Sequence, residues 1–398
     1  MFLDVLRRRN PALIEQAIAF HQAGQIPANS YVIDLDAVAE NASIIKAAAD
    51  RAGLKIFAMT KQMGRNGDFC RSVLAGGITH AVAVDMECAR ACVRAGLSLG
   101  HLGHLVQVPR AEAAAGAAMR PDYWTVFNRE KAAEAAAANQ AAGREQALLA
   151  RLFAPGDRFY NGHEGGFPAE TVVDVANALD ALPGARFAGI TTFPALLFSP
   201  ELGDADTTHN LGTLARAVEA LAKSGRRDIE VNAPGTNSAI FLQRLADHGA
   251  TQCEPGHGLT GTTPLHALHD LPERPAVAYL SEVSHIHAGR AYCFGGGLYV
   301  DPVFPDYAMN VVVAREPASG PETLHGVEIP PPSAIDYYGM IDVEGPRAPQ
   351  IGDSVVFGFR PQAFVTRAYV VGIAGLSSGN PSVGTIHDAF GRPIDWPG

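Results

Sequence analysis

Ile56-Phe57-Ala58-Met59-Thr60-Lys61-Gln62-Met63-Gly64-Arg65-Asn66 is the stretch on which the reading of this chain turns. Four apolar residues, short enough for a buried strand, run into a lysine and then into a turn carrying Gly64 and Asn66. A lysine there ends a core strand and points at whatever lies at the strand's mouth. Desolvation disfavours its ammonium, so the pKa falls and the free amine becomes a nucleophile for a carbonyl. A lone strand-end lysine is ordinarily solvated; its meaning depends on the architecture around it.

Working outward, short apolar runs at 55–61, 79–84, 102–106, 123–127, 148–154, 187–193, 228–233 and 250–255 alternate with helical patterns such as 85–95, 128–142, 168–182 and 208–223. Regular strand–helix alternation predicts right-handed parallel crossovers. Eight such units fit the size of a (β/α)8 barrel, roughly 250 residues; a doubly wound open sheet is the alternative. Two short helices are expected before residue 28. After about 270 the helical period vanishes, and apolar runs at 276–283, 307–313, 354–359 and 364–373 lie between Gly and Pro, with a Pro330-Pro331-Pro332 loop. That texture predicts a mainly antiparallel β domain. The expected division is a helical segment at 1–29, a barrel at 30–268 and a β domain at 269–398.

With 398 residues, 47% hydrophobic, the chain has ample material for two cores. A net charge of −10 argues against nucleic acid and anionic membranes as partners. No apolar run is long enough for a membrane helix, and the first residues lack the order of a signal peptide. Five cysteines, an odd number without a Cys-x-x-Cys pair, fit a reduced cytoplasmic protein.

In a (β/α)8 barrel, chemistry gathers at the C-terminal strand ends. Those ends read Lys61 with Arg65, Asp85, Gln107, Asn128, Thr192 with Phe193, Asn232, and Glu254. After the eighth run, Glu254-Pro255-Gly256-His257-Gly258 offers backbone amides to a phosphate. After the seventh, Asn237-Ser238 opens a helix, where either residue is also a simple N-cap. Consecutive polar turns after strands seven and eight match the usual barrel phosphate position.

Residues 30 to about 262 resemble the pyridoxal-phosphate barrel of the alanine racemase superfamily, the type III fold. The resemblance rests on Tyr31-Val32-Ile33-Asp34-Leu35-Asp36 with Asn41, on Lys61, and on Val84-Asp85-Met86-Glu87. The whole chain resembles more closely the YhfX-like branch, through Met59-Thr60-Lys61-Gln62, Gly103-His104-Leu105-Val106-Gln107, Asn232-Ala233-Pro234, Glu254-Pro255-Gly256-His257, Tyr292-Cys293-Phe294-Gly295-Gly296-Gly297 and Ile335-Asp336-Tyr337-Tyr338. The resemblance implies that pyridoxal 5'-phosphate is carried on Lys61 as a Schiff base. It implies a homodimer in which one subunit caps its partner's site, and Tyr292 or Cys293 as a second acid/base. Arg65, His163, Asn232, Asn237, Ser238, Glu254, Gly256, His257 and Gly258 are then the expected cofactor-binding residues.

The pattern departs from alanine racemase in places. Glu254 stands where the family has an Arg facing the pyridine nitrogen. Arg65 replaces a phosphate-binding Tyr, and Glu164 falls near the Arg that contacts the cofactor hydroxyl. The Tyr-Gly motif of the second base reads Tyr292-Cys293-Phe294-Gly295, where Phe294 is the better positional match. A carboxylate beside the ring nitrogen keeps it protonated and makes the ring a fuller electron sink. The best-fitting activity is amino-acid racemisation. Decarboxylation, another Cα lyase reaction, or a non-catalytic cofactor-homeostasis role are the alternatives, the last disfavoured by the β domain. No metal site is expected. His101 with His104, His266 with His269, and His285 with His287 lack completing ligands in sequence, and 352–361 lacks the metal pair that D-serine dehydratase and D-threonine aldolase carry in their β domains.

Overall fold

The computed structural model describes residues 1–300, 308–331, 333–345 and 347–397. Tyr307, at the start of one expected strand, and Pro332 of the proline loop lie outside them. Two compact units emerge. One is Ser43–Thr60 with Gly77–Gly256; the other is Met1–Ala42, Lys61–Gly76 and His257–Gly398. They do not coincide with the segments 1–29, 30–268 and 269–398 expected from sequence.

The first unit is the parallel barrel. Its strand order runs Lys55–Ile56, Gln252–Cys253, Glu230–Asn232, Ala185–Thr191, Gln146–Phe153, Tyr123–Val126, Ser98–Leu102, His80–Ala83 and Ala58–Met59. The two ends of this order are one strand interrupted at Phe57, so eight strands close on themselves. Lys55–Ile56 pairs with the eighth strand, and Ala58–Met59 with the second. Every pairing is parallel because each strand returns through a helix on the outside. Ala147, Leu149 and Ala188, with Tyr123 against them, fill part of the interior.

The other unit carries a nine-stranded sheet. Arg290–Phe294, Tyr338–Asp342, Leu324–Glu328, Met309–Ala314, Ser354–Phe357 and Val277–His287 close into an antiparallel barrel, because the long Val277–His287 strand also pairs with Arg290–Phe294. Ser30–Asp34 adds to this sheet, antiparallel to Val277–His287 and parallel to Tyr369–Ala374. Ser30–Asp34 thus hydrogen-bonds inside this sheet rather than in the parallel barrel. The helices Phe2–Arg9 and Pro11–Gln22 supply Leu6, Leu13, Ile14 and Ile18 to the same core, against Val32, Leu280 and Val356. Among the described residues, no helix is long and apolar enough to cross a membrane.

His21 gives this core a pH dependence. Its ring is buried, with Nδ1 2.7 Å from Ser354 Oγ and Nε2 3.2 Å from Glu282 Oε2. Burial pushes its pKa down to about 4. A histidine with a lowered folded pKa stabilises the fold above its unfolded value, and that contribution is lost as pH falls. Thermal stability should therefore drop between about pH 6.5 and pH 4, by on the order of 3 kcal/mol at most. Glu282 softens the loss by offering the imidazolium a partner. His21→Gln should flatten the profile in that window; an unchanged slope would place the titrating group elsewhere.

Candidate functional site

In the parallel barrel, side chains alternate between the interior and the outer helices. His101 on Ser98–Leu102, Thr125 on Tyr123–Val126, Thr191 at the end of Ala185–Thr191 and Asn232 at the end of Glu230–Asn232 are all fully buried. They meet around Glu254, which follows the eighth strand. His101 Nδ1 lies 2.6 Å from Glu254 Oε1, and Asn232 Nδ2 donates to the same oxygen at 2.9 Å. His104 Nε2 is 3.0 Å from Oε2. Asn232 Nδ2 also donates to Thr191 Oγ1 at 3.0 Å, and Thr125 Oγ1 bonds His101 Nε2. Burial alone raises the Glu254 pKa, but His104 and His101 outweigh it together with the His101 and Asn232 hydrogen bonds, so the carboxyl is held below its ordinary range.

Sequence spacing offered His101 and His104 no carboxylate; the fold brings one from 153 residues away. Their ligand atoms and that of Glu254 all lie within 4.8 Å of one another. Two ligands on a tetrahedral metal at about 2.1 Å would stand about 3.4 Å apart. The 2.6 Å contact is instead a direct hydrogen bond. In this structure Glu254 is a buried carboxylate held between two imidazoles and the Asn232 amide.

Beside it runs an aromatic wall. The Phe193 ring lies 5.7 Å from that of His104, 5.7 Å from Tyr160 and 6.0 Å from His163. Asn237 Oδ1 accepts from the Glu254 backbone N–H at 3.2 Å, while buried Asn237 Nδ2 and Ser238 Oγ have no hydrogen-bond partner. Ser238 precedes the Ala239–Phe241 turn without capping it through its side chain. Two orphaned donors at the head of a turn fit a phosphate. Three other expected rim residues serve the scaffold. Asp85 caps Met86–Arg94 through Cys88 N–H, Asn128 caps Arg129–Ala141 through Lys131 N–H, and Gln107 ties Gly103 O, Thr125 O and Phe127 N–H together.

In the other unit, Lys61 opens the turn Lys61–Met63 and is half-buried, with Nζ 5.0 Å from the centre of the Phe364 ring. The Arg65 guanidinium lies 5.7 Å from the same ring, and its backbone is left-handed at φ 56°. Asn66 accepts from Phe69 N–H and donates to Val370 O, fixing the turn. Burial first, then Arg360 and Lys61, push the His257 pKa well below its usual value. His257 is thus a neutral ring in a cationic setting suited to an anion. Gly256, Gly258 and Gly261 have the spacing of a dinucleotide loop. They lead into the 3-10 turns His257–Thr260 and Pro264–Ala267 rather than a crossover helix, so that use is excluded.

Tyr292 and Cys293 are neighbours on Arg290–Phe294 and so face opposite ways. Tyr292 is half-buried, stacked on His285 at 4.5 Å. Cys293 is fully buried, and burial pushes its thiol up to about 12. A thiol sealed in a core does not exchange protons with a ligand, which corrects the expectation for Cys293 and leaves Tyr292.

Comparisons with known proteins agree with this architecture. Residues 33–264 match the alanine racemase N-terminal domain, and residues 278–383 match the YhfX-like C-terminal domain. A protein of Escherichia coli strain K12, YhfX, is 39% identical over 99% of this chain and all of its own length. Among solved structures, the D-threonine aldolase of Filomicrobium marinum superposes with a TM-score of 0.68 at 17% identity, covering 93% of this chain and 96% of its own. The alanine racemase of Clostridium difficile 630, in complex with cycloserine, gives 0.64 at 16%, covering 92% and 99%. The D-threo-3-hydroxyaspartate dehydratase of Delftia sp. HT23 gives 0.66 at 16%, covering 90% and 97%. At those identities the structures share the fold.

Proposed function

Because this chain belongs to the YhfX-like branch of the alanine racemase superfamily, we propose that it is a pyridoxal-phosphate enzyme acting at Cα of an amino acid, as a racemase. Members of the alanine racemase fold family use that cofactor. The observation that carries the reading is the buried, doubly histidine-bound carboxylate of Glu254 at the ends of the barrel strands. Bound pyridoxal phosphate supplies a ring that withdraws electrons and stabilises negative charge at Cα.

The chain's own residues do the rest. Lys61 holds the cofactor through its amine and moves a proton at Cα on one face. Glu254 holds a proton on the ring nitrogen, with His101, His104 and Asn232 fixing its carboxylate. Asn237, Ser238, Gly256, His257 and Gly258, with Arg65, hold the phosphate, and His163 packs on the ring. Tyr292, delivered from the partner subunit of a homodimer, is the acid/base on the other face. A second reading, decarboxylation or another Cα lyase reaction, draws support from the same Glu254. A carboxylate there favours a protonated, more electron-withdrawing ring than an Arg would.

Incubation of the cofactor-loaded protein with each L- and D-amino acid in deuterated water separates these. Deuterium at Cα with inversion is the expected result. Release of carbon dioxide or an oxo acid would select the lyase reading, and no exchange with any amino acid would defeat both.

A further inference from the structure

Arg151 lies on the fifth barrel strand, Gln146–Phe153, in register with Thr191. Ala147 and Leu149, four and two residues earlier on that strand, pack with Ala188 in the interior cluster, and strand alternation puts Arg151 on the same face. Towards the C-terminal strand ends, the barrel lining thus passes from Ala and Leu to a guanidinium. Arg151 is the largest fully buried side chain among the described residues.

Little in the protein engages it. Nη2 donates to His163 O at 2.5 Å, and the Phe127 and Phe159 rings lie 4.6 and 5.9 Å from Cζ. The loop carrying His163 is pressed onto the strand: a side chain at Gly166, φ 130°, would meet Arg151 O at 2.6 Å. Nε and Nη1 are buried without a hydrogen-bond partner. Glu164 acts on the guanidinium only electrostatically, and its side chain is exposed. Burial lowers the pKa to about 10, which still leaves the group charged at neutral pH.

A buried cation with unmade hydrogen bonds is unfavourable, and an apolar residue would pack there at less cost. A guanidinium in that setting fits an anionic ligand. Planar guanidinium donors match a carboxylate better than any other common group. We propose that Arg151 is a substrate-binding residue that takes the carboxylate of the amino acid. The assignment rests on the amino-acid reading above. It also bears on the reaction, because a carboxylate paired with a buried guanidinium is stabilised as the anion and its loss as carbon dioxide is opposed.

The test compares wild type, Arg151→Met, Arg151→Lys and Glu164→Gln in the full-length protein. One arm needs no cofactor: thermal melting in sodium malonate against sodium chloride at equal ionic strength. Malonate should raise the wild-type melting temperature but not that of Arg151→Met, which without ligand should melt no lower than wild type. The second arm measures binding of alanine and of ethylamine, the same molecule without its carboxylate, to the cofactor-loaded protein. Arg151→Met should weaken alanine about tenfold to a hundredfold, leave ethylamine and pyridoxal phosphate within twofold, and be partly rescued in Arg151→Lys. Glu164→Gln should keep the preference for alanine. Equal malonate stabilisation in wild type and Arg151→Met, or a parallel fall in alanine, ethylamine and cofactor affinity, would overturn the assignment. A protein that binds no pyridoxal phosphate yet shows the malonate difference would refute the cofactor reading and leave Arg151 an anion site.

Discussion

Lys61→Ala is expected to lower turnover by at least about three orders of magnitude and to abolish fixation of the cofactor by borohydride. No other described lysine combines the end of a barrel strand with partial burial against an aromatic ring. In the proposed mechanism the amine is both the attachment point and one of the two proton carriers, so its loss removes two functions at once. The fold should survive, because the Lys61–Met63 turn is held by Gly64 N–H to Lys61 O and by Asn66. Peptide mapping of the reduced wild type should find the label on Lys61, and a label on another lysine would sink the assignment. The same variant tests the shared site. Mixed with an inactive Tyr292→Phe protein, it should regain part of the activity after subunit exchange, since each hybrid dimer restores one complete site. Proven exchange without recovery would put the second acid/base in the same subunit or on another residue.

What could be read from sequence, and what could not, follows from which interactions are local. Seven of the eight barrel strands overlap the expected runs closely, because a parallel strand buried on both faces is a continuous apolar stretch. The third was set too late, at 102–106, whereas the strand is Ser98–Leu102. Its centre is Gly100-His101, which does not look like a core. Gly100 is there because a side chain would run into the Phe57 ring, and His101 because it bonds Glu254. Ser30–Asp34 is equally apolar in either sheet, so its membership was invisible until its partners were known. The carboxylate clamp was missed because its members are separated by most of the barrel. Arg151 did leave a signal, a charge inside the run 148–154, that strand-hunting passed over. A cation that interrupts an otherwise buried strand asks for a partner, and that question needs no structure.

Glu254→Gln is expected to cut turnover by roughly a hundredfold to a thousandfold while leaving cofactor affinity within a few-fold. Gln is isosteric and can still accept from Asn232 Nδ2, so the shape of the barrel interior is kept. It cannot hold a proton on a ring nitrogen by charge, which is the property the carboxylate brings. The donors proposed for the phosphate, Asn237 Nδ2 and Ser238 Oγ, are separate from the carboxylate, so binding is spared. The free protein should also lose about 3 kcal/mol of stability, because His101 and His104 are left buried without their anion. The pH dependence has a definite sign. A carboxyl held below its ordinary range stabilises the fold above the unfolded pKa, about 4.3, and loses that contribution as pH falls through the folded value. Wild type and Glu254→Gln should therefore converge in stability at strongly acid pH and show their full difference above about pH 4.3. Activity in Glu254→Gln equal to wild type, with the cofactor bound and the melting curve intact, would mean that the ring nitrogen has another partner and that the histidine-clamped carboxylate serves the fold alone.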